Sequence, residues 1–175
     1  MEETLINLYI WLLSKDGAEK GKKKQEMEIE RKFLVDKKNW DLVDKPKPKK
    51  IIQAYLFRSP EKTIRIRIKG DKGFLTIKGK TTGISRSEFE YEIPFAEAEQ
   101  LISEFADKII LKNRYEIKVG SHLWEIDEFH GNLEGLLLAE IELSVEAEAF
   151  ELPSWATSDV STDENYYNSK LIERC

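Results

Sequence analysis

The sequence has almost no cysteine or histidine. Because Cys175 is its single cysteine, the chain forms no internal disulfide, and nothing indicates an oxidising compartment. Its two histidines, His122 and His130, are too few for a histidine-based metal cage. No serine has a histidine and an acid in a suitable setting, so no covalent nucleophile is indicated. A functional site in this chain must therefore be built from other side chains.

Long apolar runs are also missing. The apolar run at residues 5–13 is shorter than the roughly 20 residues that a membrane-spanning helix needs. Glu2 and Glu3 precede it, where a secretory signal would carry positive charge. We expect residues 1–26 to be a dispensable extension, or a start assigned too early, with Met27 as the natural first residue. We expect residues 27–175 to form the functional domain of a cytoplasmic protein without a membrane partner.

Charged residues are abundant, at 35% of the 175 residues, with a net charge of −5. This net charge argues against a general nucleic-acid partner. The hydrophobic fraction of 41% is spread evenly enough for one folded domain with a core. Disorder is therefore not expected for most of the chain.

Alternation of polar and apolar residues, the pattern typical of β-strands, runs through most of the chain after Met27. It predicts strands at residues 28–35, 51–57, 63–69, 74–80, 86–93, 109–119, 122–129 and 136–145. Helices are predicted at residues 38–43, 95–106 and 162–172. About eight antiparallel strands at hairpin spacing indicate a mainly β fold, either a closed barrel or a sandwich, with flanking helices.

One face of these strands is unusually charged, and we call it the charged face. Its residues are Glu28, Glu30, Lys32, Arg65, Arg67, Lys69, Lys78, Lys80, Arg86, Glu88, Glu90, Lys112, Arg114, Glu125, Asp127, Glu140 and Glu142. A solvated face is the usual arrangement for an alternating strand. Arginine recurs on this one, however, where threonine, serine or lysine would satisfy water. Acids cluster on the first and last two strands, and bases dominate the middle strands. The pattern therefore leaves two arrangements open, a solvated surface or the wall of an enclosed channel.

A series of short strings resembles a known family. Residues 28–35, Glu-Ile-Glu-Arg-Lys-Phe-Leu-Val, are similar to the N-terminal Glu-x-Glu-x-Lys signature of the CYTH superfamily, the triphosphate tunnel metalloenzymes. Further strings follow in the same order at residues 53–56, 65–69, 75–80, 86–90, 112–115, 124–129, 139–143 and 166–169. The resemblance implies a closed eight-stranded antiparallel β-barrel whose tunnel binds triphosphate with a divalent metal.

The chain looks most like the short bacterial members, several of which are inorganic triphosphatases. The resemblance therefore implies metal-dependent hydrolysis of tripolyphosphate to pyrophosphate and phosphate. A class IV adenylate cyclase and a thiamine or nucleoside triphosphatase use the same tunnel and stay open as alternatives. So does a non-catalytic polyphosphate-binding module, although its carboxylates would have no use. We expect a small triphosphate as partner and a monomer or homodimer.

The charged face supplies candidates for each role that the resemblance implies. Arginine forks and lysine ammonium groups suit phosphate oxygens, and the candidates for substrate binding are Lys32, Tyr55, Arg65, Arg67, Lys69, Lys78, Lys80, Arg86 and Arg114. Magnesium or manganese, the expected cofactor, prefers oxygen ligands, and the candidates are Glu28, Glu30, Asp127, Glu140 and Glu142. Candidate catalytic residues are Glu28, Glu30, Lys32, Glu125 and Asp127.

One position departs from the family pattern. Similar short members often have a basic residue just before the Tyr-Tyr-Asn string, where this chain has Asn165. Lys170, on the following turn, is the expected substitute for that phosphate contact. Glu88, Glu90 and Glu92 are predicted to be either metal ligands or ion-pair partners that orient the arginines.

Overall fold

The computed structural model describes residues 26–175. Within them, nine antiparallel strands form one sheet. They are β1 (Glu26–Val35), β2 (Lys49–Arg58), β3 (Thr63–Lys69), β4 (Lys72–Lys78), β5 (Ser85–Ile93), β6 (Ile109–Val119), β7 (His122–Phe129), β8 (Leu137–Glu142) and β9 (Ala156–Asp159). The expected extension, residues 1–26, lies outside the described residues except for Glu26.

Strand β1 closes the sheet into an eight-stranded barrel. Its first residues pair with β5, with Glu28 opposite Arg86, and its later residues pair with β8, with Lys32 opposite Glu140. β9 adds to β1 at its far end and stands outside the eight-stranded circuit. The predicted closed barrel is therefore confirmed, and the sandwich is excluded.

The charged face points inward. On β3, Arg65 is 6% exposed and lies inside the barrel, whereas Ile66 and Ile68 point outward. Helix α2 (Phe95–Phe105) covers these isoleucines and buries Ala98 against them. The outer surface of the barrel therefore carries the apolar core, and its interior is polar.

Aromatic side chains build a second apolar core on the outside of β1, β7 and β8. Trp124 lies 5.4 Å from Trp155 between ring centroids, and Trp155 lies 5.7 Å from Trp40. Trp40 belongs to the short helix α1 (Lys37–Asp41), whose first turn is capped by the Asp36 carboxylate. These rings attach α1 and the segment after β8 to the barrel.

The C-terminal segment forms a third core against the barrel. Leu171 and Ile172 are buried with Ile110, Phe129 and Leu138. The predicted helix at residues 162–172 is wrong as one element: a 3-10 turn (Glu164–Tyr166), helix α3 (Asn168–Leu171) and a second 3-10 turn (Ile172–Arg174) replace it. The extended backbone of Tyr167, at φ −72° and ψ 135°, interrupts it.

Other predicted elements need smaller corrections. β3, β6 and β7 have the predicted bounds, while β4 begins two residues earlier than expected and ends at Lys78. Its hairpin with β3 is tighter than predicted, because Gly70 adopts φ +64° and only Gly70 and Asp71 separate the strands. β9 was not predicted, and a further 3-10 turn spans Gly131–Leu133. None of the helices within residues 26–175 is long and apolar enough to cross a bilayer.

Candidate active site

The barrel encloses a cavity of about 540 Å³. Because alternate residues of a strand share a face, the inward set of every barrel strand reaches it. The charged and polar residues that line it include Glu28, Glu30, Lys32, Gln53, Tyr55, Arg65, Arg67, Lys69, Lys78, Arg86, Glu88, Glu90, Lys112, Arg114, Glu125, Glu140 and Glu142. Ser161, Tyr167, Asn168 and Ser169 of the C-terminal segment also line it.

Glu28 holds two cations on the β1–β5 side of the cavity. Its carboxylate accepts hydrogen bonds from Lys78 Nζ at 2.7 Å and from Arg86 Nε at 2.6 Å. Burial alone would raise the pKa of Glu28, but these two positive charges lower it far below its ordinary value. Glu28 is therefore a carboxylate, and in this structure its oxygens contact lysine and arginine.

Glu30 and Glu140 lie together around Lys32. Lys32 Nζ is 2.7 Å from Glu140 and 3.4 Å from Glu30, and its side chain is almost fully buried. Burial raises the pKa of Glu30 to about 7, and the negative charge of Glu140 adds to the rise. The pKa of Glu140, by contrast, is lowered because Lys32 and Arg114 outweigh its burial. This corner of the cavity therefore has more carboxylate than its own cations neutralise.

Arg114 organises the β6–β7–β8 wall. It donates to both oxygens of Asp127 at 2.6 Å and to Glu140 at 2.7 Å, and it also contacts Glu125. Lys112 Nζ bonds the same Asp127 carboxylate at 2.5 Å. Burial, with Arg114 nearby, lowers the pKa of Lys112 to about 8 despite the attraction of Asp127. The wall is thus a network in which Lys112 and Arg114 share the buried Asp127 carboxylate, while Arg114 also contacts Glu125 and Glu140.

Arg65 and Arg67 form the opposite, cationic wall. Glu90 accepts from Arg67 Nη2 at 2.8 Å, and Arg65 Nη2 donates to Thr76 at 3.1 Å. The Nε atom of each arginine is buried without a hydrogen-bond partner among the described residues. Both arginines line the cavity, so their guanidinium groups offer positive charge to an anion there. The predicted role of Glu90 as an ion-pair partner of the arginines is confirmed.

Most candidate residues meet in the cavity, but three do not. Lys80 is exposed, because β4 ends at Lys78 and the next residues leave the barrel wall. Asp127 has 0% exposure and does not line the cavity, because it is buried in ion pairs with Lys112 and Arg114. Lys170 is exposed and pairs with Glu173 at 3.4 Å, so it makes no contact with the cavity.

Some cavity residues were missing from the candidate set. Gln53 is 1% exposed and shares the inward face of β2 with Tyr55, so its i, i+2 spacing could have indicated it. Lys112 is in phase with Arg114 and is found by the same argument. The C-terminal residues Tyr167 and Asn168 have no strand alternation, and only the tertiary fold brings them here.

The carboxylates fit a divalent cation by their chemistry. Glu30 and Glu142 are direct cross-strand partners on β1 and β8, next to the Lys32–Glu140 pair. Oxygen donors are what magnesium and manganese prefer, and burial, with the negative charge of Glu140, raises the pKa of Glu30. Within residues 26–175, however, no group of three or more His, Cys, Asp or Glu side chains is already arranged to hold a metal ion.

The fold and the cavity together define a class of protein. A closed antiparallel barrel with arginine and lysine on its inner wall, and carboxylates beside them, is suited to hold a compact polyanion. The chain belongs to the CYTH domain family, whose model matches residues 26–175.

Named relatives cover most of the chain. An inorganic triphosphatase of Acetivibrio thermocellus is 42% identical over 147 residues, which is 83% of this chain and 93% of the relative. An inorganic triphosphatase of Nitrosomonas europaea is 35% identical over 150 residues, which is 82% of this chain and 95% of the relative.

Solved structures agree with the fold. The crystal structure of an inorganic triphosphatase, 32% identical, has a TM-score of 0.59 and covers 83% of this chain and 93% of its own. A protein from Bacillus halodurans, 18% identical with a TM-score of 0.56, covers 70% of this chain and 83% of its own. At that identity the second structure supports the barrel fold alone.

Proposed function

We propose that this protein is a divalent-metal-dependent hydrolase that cleaves inorganic triphosphate to pyrophosphate and phosphate. The observation that carries the proposal is the enclosed cavity, whose wall includes Arg65 and Arg67. Guanidinium groups suit the oxygens of a compact, multiply charged triphosphate. The relatives named inorganic triphosphatase, aligned over more than 80% of this chain, favour the inorganic substrate over other triphosphates.

The basic residues hold the substrate by charge-assisted hydrogen bonds. Arg65 and Arg67 offer fork-shaped donors from β3, and Lys78 and Arg86 offer charge from the neighbouring strands. Their positive charge offsets the negative charge on the equatorial phosphate oxygens as the bond to the leaving group breaks. A water molecule attacks the terminal phosphorus in line, and pyrophosphate leaves.

We further propose that Glu30, Glu140 and Glu142 hold the metal ion, with Glu28 beside them. A bound divalent cation would polarise phosphate oxygens and lower the pKa of a bound water. Lys32 contacts both Glu140 and Glu30. These carboxylates could hold a metal ion only if Lys32 moved away from at least one of them. Glu125, which lines the cavity and contacts Arg114, is the candidate to orient the attacking water.

The direct test is phosphate release from tripolyphosphate, ATP and thiamine triphosphate, each with magnesium and with manganese. We expect the highest kcat/KM for tripolyphosphate and no cyclic AMP from ATP. Accumulation of cyclic AMP would favour the adenylate cyclase instead, and binding without turnover would favour a polyphosphate-binding module. A clear preference for thiamine triphosphate would overturn the choice of substrate.

A second assay tests the metal ligands. Glu142→Gln keeps the shape of a cavity-lining side chain and removes its charge, so we expect the metal concentration for half-maximal rate to rise. Glu134→Gln, an exposed acid after β7, is the matched control. An unchanged metal requirement in Glu142→Gln would remove Glu142 from the ligand set.

The cytoplasmic location and the monomeric or dimeric state stay predictions.

A further inference from the structure

Gln53 is a buried amide whose carbonyl oxygen has no hydrogen-bond partner among the described residues. It lies on the inward face of β2, lines the cavity and is 1% exposed. Its Nε2 donates to the hydroxyl of Tyr55 at 3.2 Å. Its Oε1 has no hydrogen-bond partner among residues 26–175.

The surroundings fix the direction of this amide. The cross-strand neighbour of Gln53 on β3 is Arg67, whose Nε is also buried without a partner in the described part of the chain. The amide nitrogen, and not the carbonyl oxygen, faces the Tyr55 hydroxyl, and the positive charge of the neighbouring Arg67 favours an oxygen over N–H groups at the other position of the amide. The amide nitrogen therefore stays on the side of Tyr55.

This direction decides what the Tyr55 hydroxyl can do. A phenol oxygen that accepts from Gln53 keeps its own proton to donate elsewhere. Burial raises the pKa of Tyr55, although the positive charges of Arg65, Arg86 and Lys32 oppose the rise. Tyr55 is thus a neutral donor in a cavity whose cationic wall attracts anions.

We propose that Gln53 is a positioning residue that fixes the Tyr55 hydroxyl as a hydrogen-bond donor toward a phosphate oxygen of the bound substrate. The inference rests on the proposed function, because it needs a triphosphate in the cavity. Tyr55 touches the substrate, and Gln53 acts through it. The arginines and lysines supply most of the attraction for the ground-state anion, so the alignment given by Gln53 affects turnover more than binding.

The experiment is a double-mutant cycle of Gln53→Leu and Tyr55→Phe, with kcat and KM measured for tripolyphosphate. Gln53→Leu should lower kcat about tenfold with KM changed less than about twofold, the scale of one lost orienting hydrogen bond. Tyr55→Phe should lower kcat at least as much. The double variant should be no slower than Tyr55→Phe, because the two residues act in series. Gln100→Leu, on the exposed face of α2, is the matched control and should match wild type.

A third variant separates positioning from packing. Gln53→Glu keeps the size of the side chain but accepts where the amide nitrogen donated, so the Tyr55 hydroxyl would turn toward it and away from the substrate. We expect its kcat to fall at least as far as that of Tyr55→Phe, with a melting temperature that shows a folded protein. Since Gln53→Glu keeps the volume of the side chain, it also gives an answer if Gln53→Leu fails to fold.

If the wild type cleaves tripolyphosphate, two outcomes overturn the inference. The first is a wild-type kcat in both Gln53→Leu and Gln53→Glu. The second is a fold-loss of kcat in the double variant that equals the product of the two single fold-losses. A wild type that cleaves another triphosphate instead contradicts the proposed substrate, and the cycle is then measured with that triphosphate. If no triphosphate is cleaved by the wild type, the proposed function is wrong and this inference, which rests on it, is wrong as well.

Discussion

At the scale of residues, the two arginines of β3 combine fixed geometry with spare donors. Arg67 is held by Glu90 and Arg65 by Thr76, yet each keeps an Nε donor without a partner in the described residues. Glu90 and Thr76 thus fix the guanidinium groups before the substrate binds. Such prior ordering favours binding because less conformational freedom is lost.

Replacing either arginine should therefore weaken substrate handling. Arg65→Ala and Arg67→Ala should each lower kcat/KM by on the order of 1.5–3 kcal/mol, or about 10- to 150-fold, the scale of a charge-assisted hydrogen bond. Steady-state kinetics with tripolyphosphate give the comparison, and Arg174→Ala, an exposed arginine near the C-terminus, is the control. Wild-type kinetics in both variants would mean that the cationic wall does not bind the substrate.

Asp127 is a carboxylate held between two cations, Lys112 and Arg114. It is fully buried, and its oxygens compensate both Lys112 and Arg114. Burial would raise the pKa of Asp127, but the charges of Arg114 and Lys112 hold it below its usual value. The alternation of the sequence predicts that Asp127 shares the inward face of β7 with Glu125 and is a candidate metal ligand. Only the structure shows that Asp127 is fully buried and does not line the cavity.

We expect Asp127→Asn to unfold more easily, because two buried cations would lose their main counter-charge. The free energy of unfolding should fall by on the order of 3–5 kcal/mol, the usual cost of breaking a buried ion pair from one side. Urea denaturation of the folded variant measures it, with the exposed Asp107→Asn as control. If Asp127→Asn has wild-type stability but no longer responds to metal, Asp127 is a metal ligand after all.

At the scale of elements, the close approach of α2 to the β4 hairpin is a feature that only the structure shows. A Cβ on Gly73 would lie 2.6 Å from the Cβ of Ala98 and 3.1 Å from the carbonyl oxygen of Ile93. The backbone of Gly73 needs no positive φ. Gly73 is therefore required by space, since the helix packs directly on the strand.

This contact can be tested by a compensating pair. Gly73→Ala should lower the free energy of unfolding by about 1–3 kcal/mol through overpacking. Ala98→Gly alone should cost up to about 1 kcal/mol of helix propensity. The double variant should lose less free energy of unfolding than the sum of the two single losses, because the clash is removed. Strict additivity in thermal or urea unfolding would show that the strand and helix separate without cost.

The elements that the sequence predicted well are those with long alternation. β3 alternates arginine or lysine with isoleucine from Ile64 to Lys69, and β6 and β7 alternate charged with mainly apolar residues over much of their length, which indicates their bounds and their inward face. β9 (Ala156–Asp159) has four residues and no such pattern, and it forms because β1 offers a partner edge. Likewise, Tyr167 and Asn168 reach the cavity through a tertiary arrangement that no local spacing encodes.

At the scale of the whole molecule, the overall charge and the interior charge differ. The chain carries a net charge of −5, yet its cavity gathers arginines and lysines from β1, β3, β4, β5 and β6. A barrel separates these two environments, because its strands alternate between an apolar outer face and a charged inner face. Net charge therefore says little about the anion that such a protein binds.

The eight strands of the barrel lie within residues 26–142, and we expect residues 1–26 to be dispensable. Removal of residues 1–26 should leave the melting temperature within a few degrees and kcat/KM within about twofold of the full chain. Thermal melts and tripolyphosphate kinetics of the truncated and full-length proteins check this. A truncated protein that unfolds or loses activity would show that the apolar run at residues 5–13 contributes to the domain.

The central claim is that the charged interior binds and cleaves a bare triphosphate. It is tested most directly by following wild-type protein with tripolyphosphate and magnesium or manganese by phosphorus NMR. We predict one pyrophosphate and one phosphate for each tripolyphosphate consumed, at a higher kcat/KM than for ATP in the same buffer. Tripolyphosphate that stays intact while ATP is turned over, or no cleavage with either metal, would contradict the claim.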